Sequence, residues 1–591
     1  IAVTLVFALS SCSMQQGAFQ LAFDVPSETL YTNDSVELAV RVADGPFERI
    51  ELVRGETVLT ELVGSTTFTW DTTGLEEGTY EVTARAYKDE TVAEAGPVTV
   101  VVDRTSPNIA GTTPSDGEAN VDTDGSISIT FSEPIDPDSI SGDSLALARA
   151  NGFELAASRS VSNDETTVTM TILGTPGLPL DLVASASNTI RDRAGNRLDA
   201  GASWRWTVPA WLPVGGPAEI ESGNRTDDPS LAFDSNGTPY VAYQESVDSN
   251  YRIYVSRWNG SSWEQVGGAV SATAAGVHSY LPSLAIDDSD RPVVAYEERP
   301  DTFEEDIYVK RFEGGSWTQL GARIDIVDAY RARVPDLAID QNGLPIVAWV
   351  ELDESLSTPY EKLHVKRWTG SSFIEVGGEV NVGSDDADDP DVELNSDSEI
   401  TVAWSESDNS QGNIYYAYWD PNADYGAGAW VPEPQDYLDN AEALDRSVNT
   451  GAYGPSLTQD PESVLPYVAW YEAGDLYAAR LSFNYTYYEG DDILNVDSSR
   501  YADSIDTALD SSGRYVVAWT ESSLSSDDDI YVKRFEENFV LLGGPVYEGP
   551  NSGESPSLAI GPDDRPHVAY VAYTDSSQST DIHVVRYNGW E

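Results

Sequence analysis

Cysteine is almost absent. Among 591 residues there is one, Cys12, which excludes a disulfide scaffold and any cysteine-based zinc site. Histidine is nearly as scarce, with four scattered copies, and a histidine metal centre is not expected. Basic residues number 33 against 100 acidic ones, a formal net charge of -67. A polyanion would be repelled, so nucleic acid is not an expected partner. Only five of the basic residues are lysine (88, 310, 362, 366 and 533). Beyond the first nine residues there is no apolar run of about 18 that could span a bilayer. Hydrophobic residues make up 40% of the chain, enough to build cores, so wholesale disorder is not expected. What is present reads as an acidic, all-β chain of about three to five domains.

Ile1 to Leu9 is almost wholly apolar, and Ser10, Ser11 and Cys12 follow. Leu9-Ser10-Ser11-Cys12 resembles the lipobox of bacterial lipoproteins. That resemblance implies a signal peptide over 1–12, a lipid on Cys12 and a short polar tether over 13–20. The missing initiator methionine and charged leader read as a truncated start. Several acyl chains together give stable anchoring. The expected location is therefore the cell envelope, outer membrane or cell surface, with membrane contact through the lipid alone.

Residues 21–103 alternate apolar and polar in short runs, as in Val36-Glu37-Leu38-Ala39-Val40-Arg41-Val42. A period of two marks half-buried strands, and their spacing marks a β-sandwich. Phe68-Thr69-Trp70-Asp71 through Gly78-Thr79-Tyr80 is similar to the late strands of bacterial Ig-like domains. In 104–208, Ser126 to Asp136 and Asp192-Arg193-Ala194-Gly195-Asn196 resemble the Ig-like domain of bacterial S-layer and surface proteins. Such modules imply spacers.

The remaining stretch, 209–591, repeats seven times. Copies start at Pro229, Pro282, Pro335, Pro390, Pro455, Ile505 and Pro556. Each reads as four strands, the signature of a propeller blade. The first is of P-S-L-A-I-D type. The second carries V-A-W or V-A-Y at Val241, Val294, Val347, Val402, Val468, Val517 and Val568. The third begins near Ile253, Ile307, Leu363, Ile414, Leu476, Ile530 and Ile582. The fourth carries Trp263, Trp317 or Phe373, and copies four to six lack parts of it. The chain stops where the last fourth strand should begin, while an orphan Trp211-Leu212-Pro213-Val214-Gly215-Gly216 precedes copy one. Pairing the two predicts a seven-bladed ring closed by an N-terminal strand, because an unpaired edge invites aggregation.

Six copies carry a Glu two residues after the aromatic (Glu245, Glu298, Glu351, Glu406, Glu472, Glu521). Six end strand three with Arg (257, 311, 367, 480, 534, 586). A catalytic group is needed once, whereas these recur in nearly every blade, so both sets read as structural. The acid-rich loops Asp227-Asp228, Asp385 to Asp389 and Asp527-Asp528-Asp529 offer hard oxygen ligands, but no calcium-loop spacing is met. No cofactor is expected, with calcium the one ion the acids could take.

The ring resembles sialidase and lectin propellers, distantly. The turn before strand four, Asn259-Gly260-Ser261-Ser262-Trp263, lacks the Asp of the sialidase Asp-box. Nothing positive points to catalysis, and no catalytic residue is singled out. The expected function is a lipid-anchored, monomeric binding or adhesion protein for an envelope glycan or surface protein. The alternative is a secreted, sialidase-like glycosidase with its site on the loop-bearing face.

Overall fold

The computed structural model describes residues 20–589 apart from 44, 220–222, 272–273, 275, 300–303, 328–330, 409–410, 424–427, 434–443, 445–449, 460–465, 483–484, 489–492, 523–527, 548–551 and 575–578. Cys12, the leader and most of the tether lie outside the described residues. The chain divides into two compact units, residues 1–176 with 180–208, and 177–179 with 209–591.

The first unit holds two β-sandwiches. In the first, a three-stranded sheet (Gln20–Phe23, Ser35–Ala43, Thr67–Asp71) and a five-stranded sheet (Thr29–Thr32, Thr91–Val102, Gly78–Lys88, Arg49–Arg54, Thr57–Leu62) share one core. The alternation seen in the sequence explains it. Leu38 and Val40 from one sheet meet Ile50, Leu52, Val82 and Val100 from the other, while their odd-register neighbours face water. The second sandwich has a four-stranded sheet (Ala157–Val161, Thr167–Ile172, Ile127–Phe131, Ile109–Thr113) and a three-stranded one (Leu145–Arg149, Leu180–Ala186, Ala202–Val208).

The second unit is a seven-bladed β-propeller. Each blade is a four-stranded antiparallel sheet in the order of its strands along the chain. The innermost strands are Thr226–Phe233, His278–Ile286, Ala332–Ile339, Asp386–Leu394, Ala452–Gln459, Tyr501–Leu509 and Gly553–Ile560, for blades 1 to 7. V-A-W strands follow at the second position, and their aromatics are fully buried in blades 3 to 6 (Trp349, Trp404, Trp470, Trp519). Every neighbouring pair of blades shares one apolar core, and the series closes. Blade 7 contributes Ala569, Val571, Ile582 and Val584 to the same core as Val241 and Tyr243 of blade 1.

The seam is sealed as the repeat predicts. Trp211–Pro213 pairs antiparallel with Thr580–Tyr587, Trp211 opposite Tyr587 and Pro213 opposite Val585, and so forms the outer edge of blade 7. The outer strands that looked incomplete are present. Blade 4 has Ala429–Glu433, blade 5 Tyr485–Tyr488 and blade 6 Phe539–Leu541. Trp430 takes the place of Trp263 in blade 4. The indole Nε1 of Trp263 donates to the Val214 carbonyl at 2.8 Å, that of Trp317 to Val266 at 2.9 Å, and that of Trp430 to Val376 at 2.8 Å. Each ties a blade to the outer strand of the one before. The longer spacing in copy four hid this equivalence from the repeat.

Candidate functional site

The inner strands converge on the ring axis, and each breaks its ladder at one place. Pairing with the second strand shifts between Asp227 and Ser230, Tyr280 and Ser283, Arg333 and Asp336, and likewise in the other four blades. One residue within each break is left-handed: Asp228, Leu281, Val334, Asp389, Gly454, Ser504 and Ser555, with φ between 47° and 56°. A β-branched Val334 in this region is a true outlier. Left-handed backbone costs a non-glycine residue about 1–2 kcal/mol, so something must hold the six that are not glycine in place.

A belt of hydrogen bonds does so. The residue two positions on (the Ser of P-S-L-A, or an Asp) accepts a backbone N–H from the next blade. Ser230 Oγ accepts from Leu284 at 3.0 Å and Ser283 Oγ from Leu337 at 3.0 Å. Asp336 accepts from Val392 at 2.8 Å, Asp391 from Leu457 at 2.8 Å, and Asp506 from Leu558 at 2.6 Å. Ser557 Oγ accepts from Leu231 at 3.0 Å, joining the last blade to the first. In blade 5, Ser456 meets Thr507 hydroxyl to hydroxyl at 3.0 Å.

Inside the belt lies a cavity of about 440 Å³ lined by all seven blades, with six aspartates and no lysine or arginine in its wall. Glu393 adds a carboxyl where Ala232, Ala285, Ala338, Ala508 and Ala559 stand in other blades. Burial, reinforced by neighbouring carboxylates, pushes Asp228 and Asp389 up to about 7. Burial also raises Asp506 to about 7 and, with Asp336 adding to it, Glu393 to about 8. Each group therefore binds its proton more tightly in the folded chain than in the unfolded one, where the value lies near 4. Its stabilising contribution is complete below about pH 4 and is lost as pH climbs through 7–8. Roughly 1 kcal/mol per group is expected, reduced from the full linkage value because solvent reaches the cavity. Urea unfolding at pH 5.5 and 8.5 checks this. Glu393→Gln should narrow the gap between the two conditions, and an unchanged gap would refute the assignment.

The position just before each left-handed residue forms a second ring, and here the repeat stops being regular. It reads Asp227, Tyr280, Arg333, Asp388, Tyr453, Asp503 and Glu554. Arg225 pairs with Asp227 at 3.2 Å. Arg299 lies 4.7 Å over the Tyr280 ring while holding buried Glu297, and Tyr280 also contacts Tyr251 and His278. Arg333 bridges Glu361 and Asp388, the latter at 3.3 Å. The Tyr573 hydroxyl donates to Glu554 at 3.2 Å. Burial first, then Asp528, drives the Glu554 carboxyl up to about 7. No motif marks this ring. It was legible only as a column that varies in chemistry from copy to copy, as the left-handed column after it also does.

Two of the recurrent Glu hold backbone between blades. Glu351 accepts the N–H groups of Ile326 and Val327 at 2.7 and 2.8 Å, and Glu406 those of Val382 and Gly383 at 3.0 and 2.6 Å. Each clamps the segment arriving from the preceding blade. In blade 2 the register places Glu298 opposite Ser279, yet the fully buried side chain is its neighbour Glu297. The Arg set sits on strand three, opposite the other end of strand two. Arg257 lies opposite Tyr240, whereas Glu245 lies opposite Arg252, so the two sets do not pair with each other. Arg311 instead meets Glu313 at 3.1 Å and Arg586 meets Asp563 at 3.0 Å. Of the acidic loops, Asp527 lies outside the described residues. Among the described residues, no three propeller acids come together as a metal-ligand group.

Residues 103–208 match the family of bacterial Ig-like domains. No curated protein matches the chain. Among solved structures, a protein of unknown function from Dyadobacter fermentans is 11% identical, covering 64% of this chain and 100% of its own, with a TM-score of 0.40. A polysaccharide lyase, an ulvan lyase, is 13% identical over 63% of this chain and 96% of its own, with a TM-score of 0.41. A Hadza microbial sialidase is 12% identical over 81% of this chain and 99% of its own, with a TM-score of 0.36. These neighbours include glycan-active enzymes by name, but the likeness is remote, and the fold rests on the strands and cores described above. The family match is confined to the second sandwich, which is similar to bacterial Ig-like domains.

Proposed function

We propose that the propeller is the glycan-recognition head of a cell-envelope adhesion protein, carried on two Ig-like spacers and anchored through a lipid on Cys12. The observation that supports this is the irregular ring around the central cavity. The chemistry of this position changes from blade to blade, and its side chains reach arginines, tyrosines and carboxylates beside the ring. It sets tyrosine rings, planar arginine forks and carboxylates beside one another. That mixture suits a polyhydroxylated ligand, whose hydroxyls both donate and accept and whose apolar faces pack on aromatics. The partner is an envelope glycan rather than a polyanion, given the overall charge.

A glycan array probed with the full chain tests the reading. Tyr280→Ala and Arg333→Ala are each expected to weaken the best hit by tenfold or more, about 1.4 kcal/mol. Binding that is unaffected by both would remove the ring from the site. A second reading, a glycosidase, is favoured by one feature: Glu554, held near neutrality and hydrogen-bonded by Tyr573, has the properties of a proton donor at pH 7. Turnover of any glycoside in a parallel screen, abolished by Glu554→Gln, would replace recognition with hydrolysis.

A further inference from the structure

Blade 2 surrounds its member of the irregular ring, Tyr280, with side chains of matched chemistry. His278 and Tyr280 stand two apart on the inner strand, and Glu297 and Arg299 two apart on the second, so each pair shares a sheet face. The ladder sets His278 opposite Arg299 and Tyr280 opposite Glu297. Directly opposed residues project to the same side, so the four form one cross-strand block. The corresponding places hold Asp386, Asp388, Ser405 and Ser407 in blade 4, and Tyr501, Asp503, Thr520 and Ser522 in blade 6. The block is thus not copied through the repeat.

Its parts differ in burial. Glu297 is fully buried, whereas the Arg299 side chain is 41% exposed. Glu297 Oε1 accepts from Arg299 Nε, while its Oε2 is buried without a hydrogen-bond partner. A carboxylate in that state depends on its guanidinium, because an unpaired charge away from water is costly. Arg299 is tied down by its inner nitrogen alone, since its approach to Glu305, at 3.3 Å, is also made through Nε. The Tyr280 ring lies 4.7 Å from the guanidinium carbon and fixes the group from one side. Among the described residues, Nη1 and Nη2 have no hydrogen-bond partner, so the outer fork is preset and unspent. Arg333 of the next blade is the contrast: its Nε and Nη2 go to Glu361, and Nη2 also meets Asp388. His278 adds a third donor. Its Nδ1 accepts the Tyr251 N–H at 3.3 Å, so that nitrogen carries no hydrogen and the ring N–H is at Nε2. No described residue takes that N–H. The imidazole lies nearly parallel to the Tyr280 ring, with 6.0 Å between centres.

We propose that Arg299 is the specificity-determining residue of the glycan site, reading two adjacent hydroxyls of an uncharged sugar with its Nη groups, and that buried Glu297 is the positioning residue that holds it for that task. The inference rests on the glycan reading given above and names the kind of sugar. A planar fork suits two neighbouring oxygens. Charge decides which oxygens. Two carboxylates, Glu297 and Glu305, already stand at one guanidinium, so the place is net negative and repels the carboxylate of an acidic sugar. Hydroxyls carry no charge and accept from N–H groups.

Affinity electrophoresis of the full chain through gels containing galactan, mannan, dextran or polygalacturonate tests the proposal. Wild type is expected to bind at least one of the three neutral polymers more tightly than polygalacturonate. Its Kd should change less than about twofold between about 50 and 500 mM salt, because no ligand charge is screened. Arg299→Lys keeps the charge and loses the fork, and should weaken that binding at least tenfold. Glu297→Gln removes the countercharge, so the ratio of polygalacturonate to neutral-polymer affinity should rise about tenfold and fall again with salt. A residue that only supports the fold would not move that ratio. Melting at the wild-type temperature shows that a variant is folded, and if Glu297→Gln is not, Arg299→Lys decides. Wild-type affinity in Arg299→Lys, an unchanged ratio in Glu297→Gln, or a wild-type preference for polygalacturonate would each overturn the proposal and leave glycan recognition standing. Binding to none of the four polymers would overturn it too, and binding to no glycan of the array would remove the glycan reading with it.

Discussion

Replacing Trp211 by alanine is expected to destabilise the propeller by about 3–5 kcal/mol, the cost of emptying a buried aromatic position. The side chain is 7% exposed. It packs on Tyr587 at 5.4 Å between ring centres and shares a core with Val516, Ile530 and Leu542 of blade 6 and Val568 and Val585 of blade 7. Its Nε1 donates to the Leu542 carbonyl at 3.1 Å. The substitution therefore opens a cavity and orphans a carbonyl, and it does so where a strand from the start of the propeller pairs with its last blade. The effect should exceed that of Trp263→Ala, whose ring sits on a blade edge that is continuous in the chain and is only partly buried. Differential scanning calorimetry of both variants separates the two. Equal, small losses would mean that the Trp211 strand is a passive passenger and that the ring holds without it.

Glu406→Ala should be nearly as damaging, and by different physics. Glu406 is 3% exposed and accepts three hydrogen bonds: Val382 N–H at 3.0 Å, Gly383 N–H at 2.6 Å and the Trp404 indole at 3.1 Å. Alanine leaves all three donors without this acceptor; the Trp404 indole is fully buried, whereas Val382 and Gly383 are exposed residues whose N–H groups water can reach, so the cost is about 1–3 kcal/mol for the indole and less for the other two. A net loss of roughly 3 kcal/mol is expected. Glu406→Gln keeps one acceptor oxygen but brings an NH₂ against donors, so it should recover only part of the loss. Unfolding midpoints of the three proteins in urea check the order wild type, Gln, Ala. A neutral Glu406→Ala would mean that the loop over 382–383 is held by its other contacts. Neither substitution replaces a residue of the irregular ring, so the glycan binding proposed for it should survive both in the folded fraction.

The sequence by itself determined the architecture. Alternating runs gave strands, and a repeat of about fifty residues gave blades. The count of seven, together with an orphan strand-four motif ahead of copy one, required a ring closed by a borrowed strand. These are properties of spacing and apolar pattern, which the backbone obeys locally. It also read the recurrent Glu as structural, a reading the hydrogen bonds of Glu351 and Glu406 fit.

Only the tertiary structure decided what those residues touch. Glu351 and Glu406 accept N–H groups of segments arriving from the preceding blade, while the Arg set lies on the third strand, opposite the far end of the second. No spacing rule relates them, since their partners are set by how one sheet twists against the next. The left-handed residue before each P-S-L segment, including the improbable Val334, follows from seven bulges crowding one axis. The ring Asp227, Tyr280, Arg333, Asp388, Tyr453, Asp503 and Glu554 became a candidate site only once those bulges placed it around a cavity.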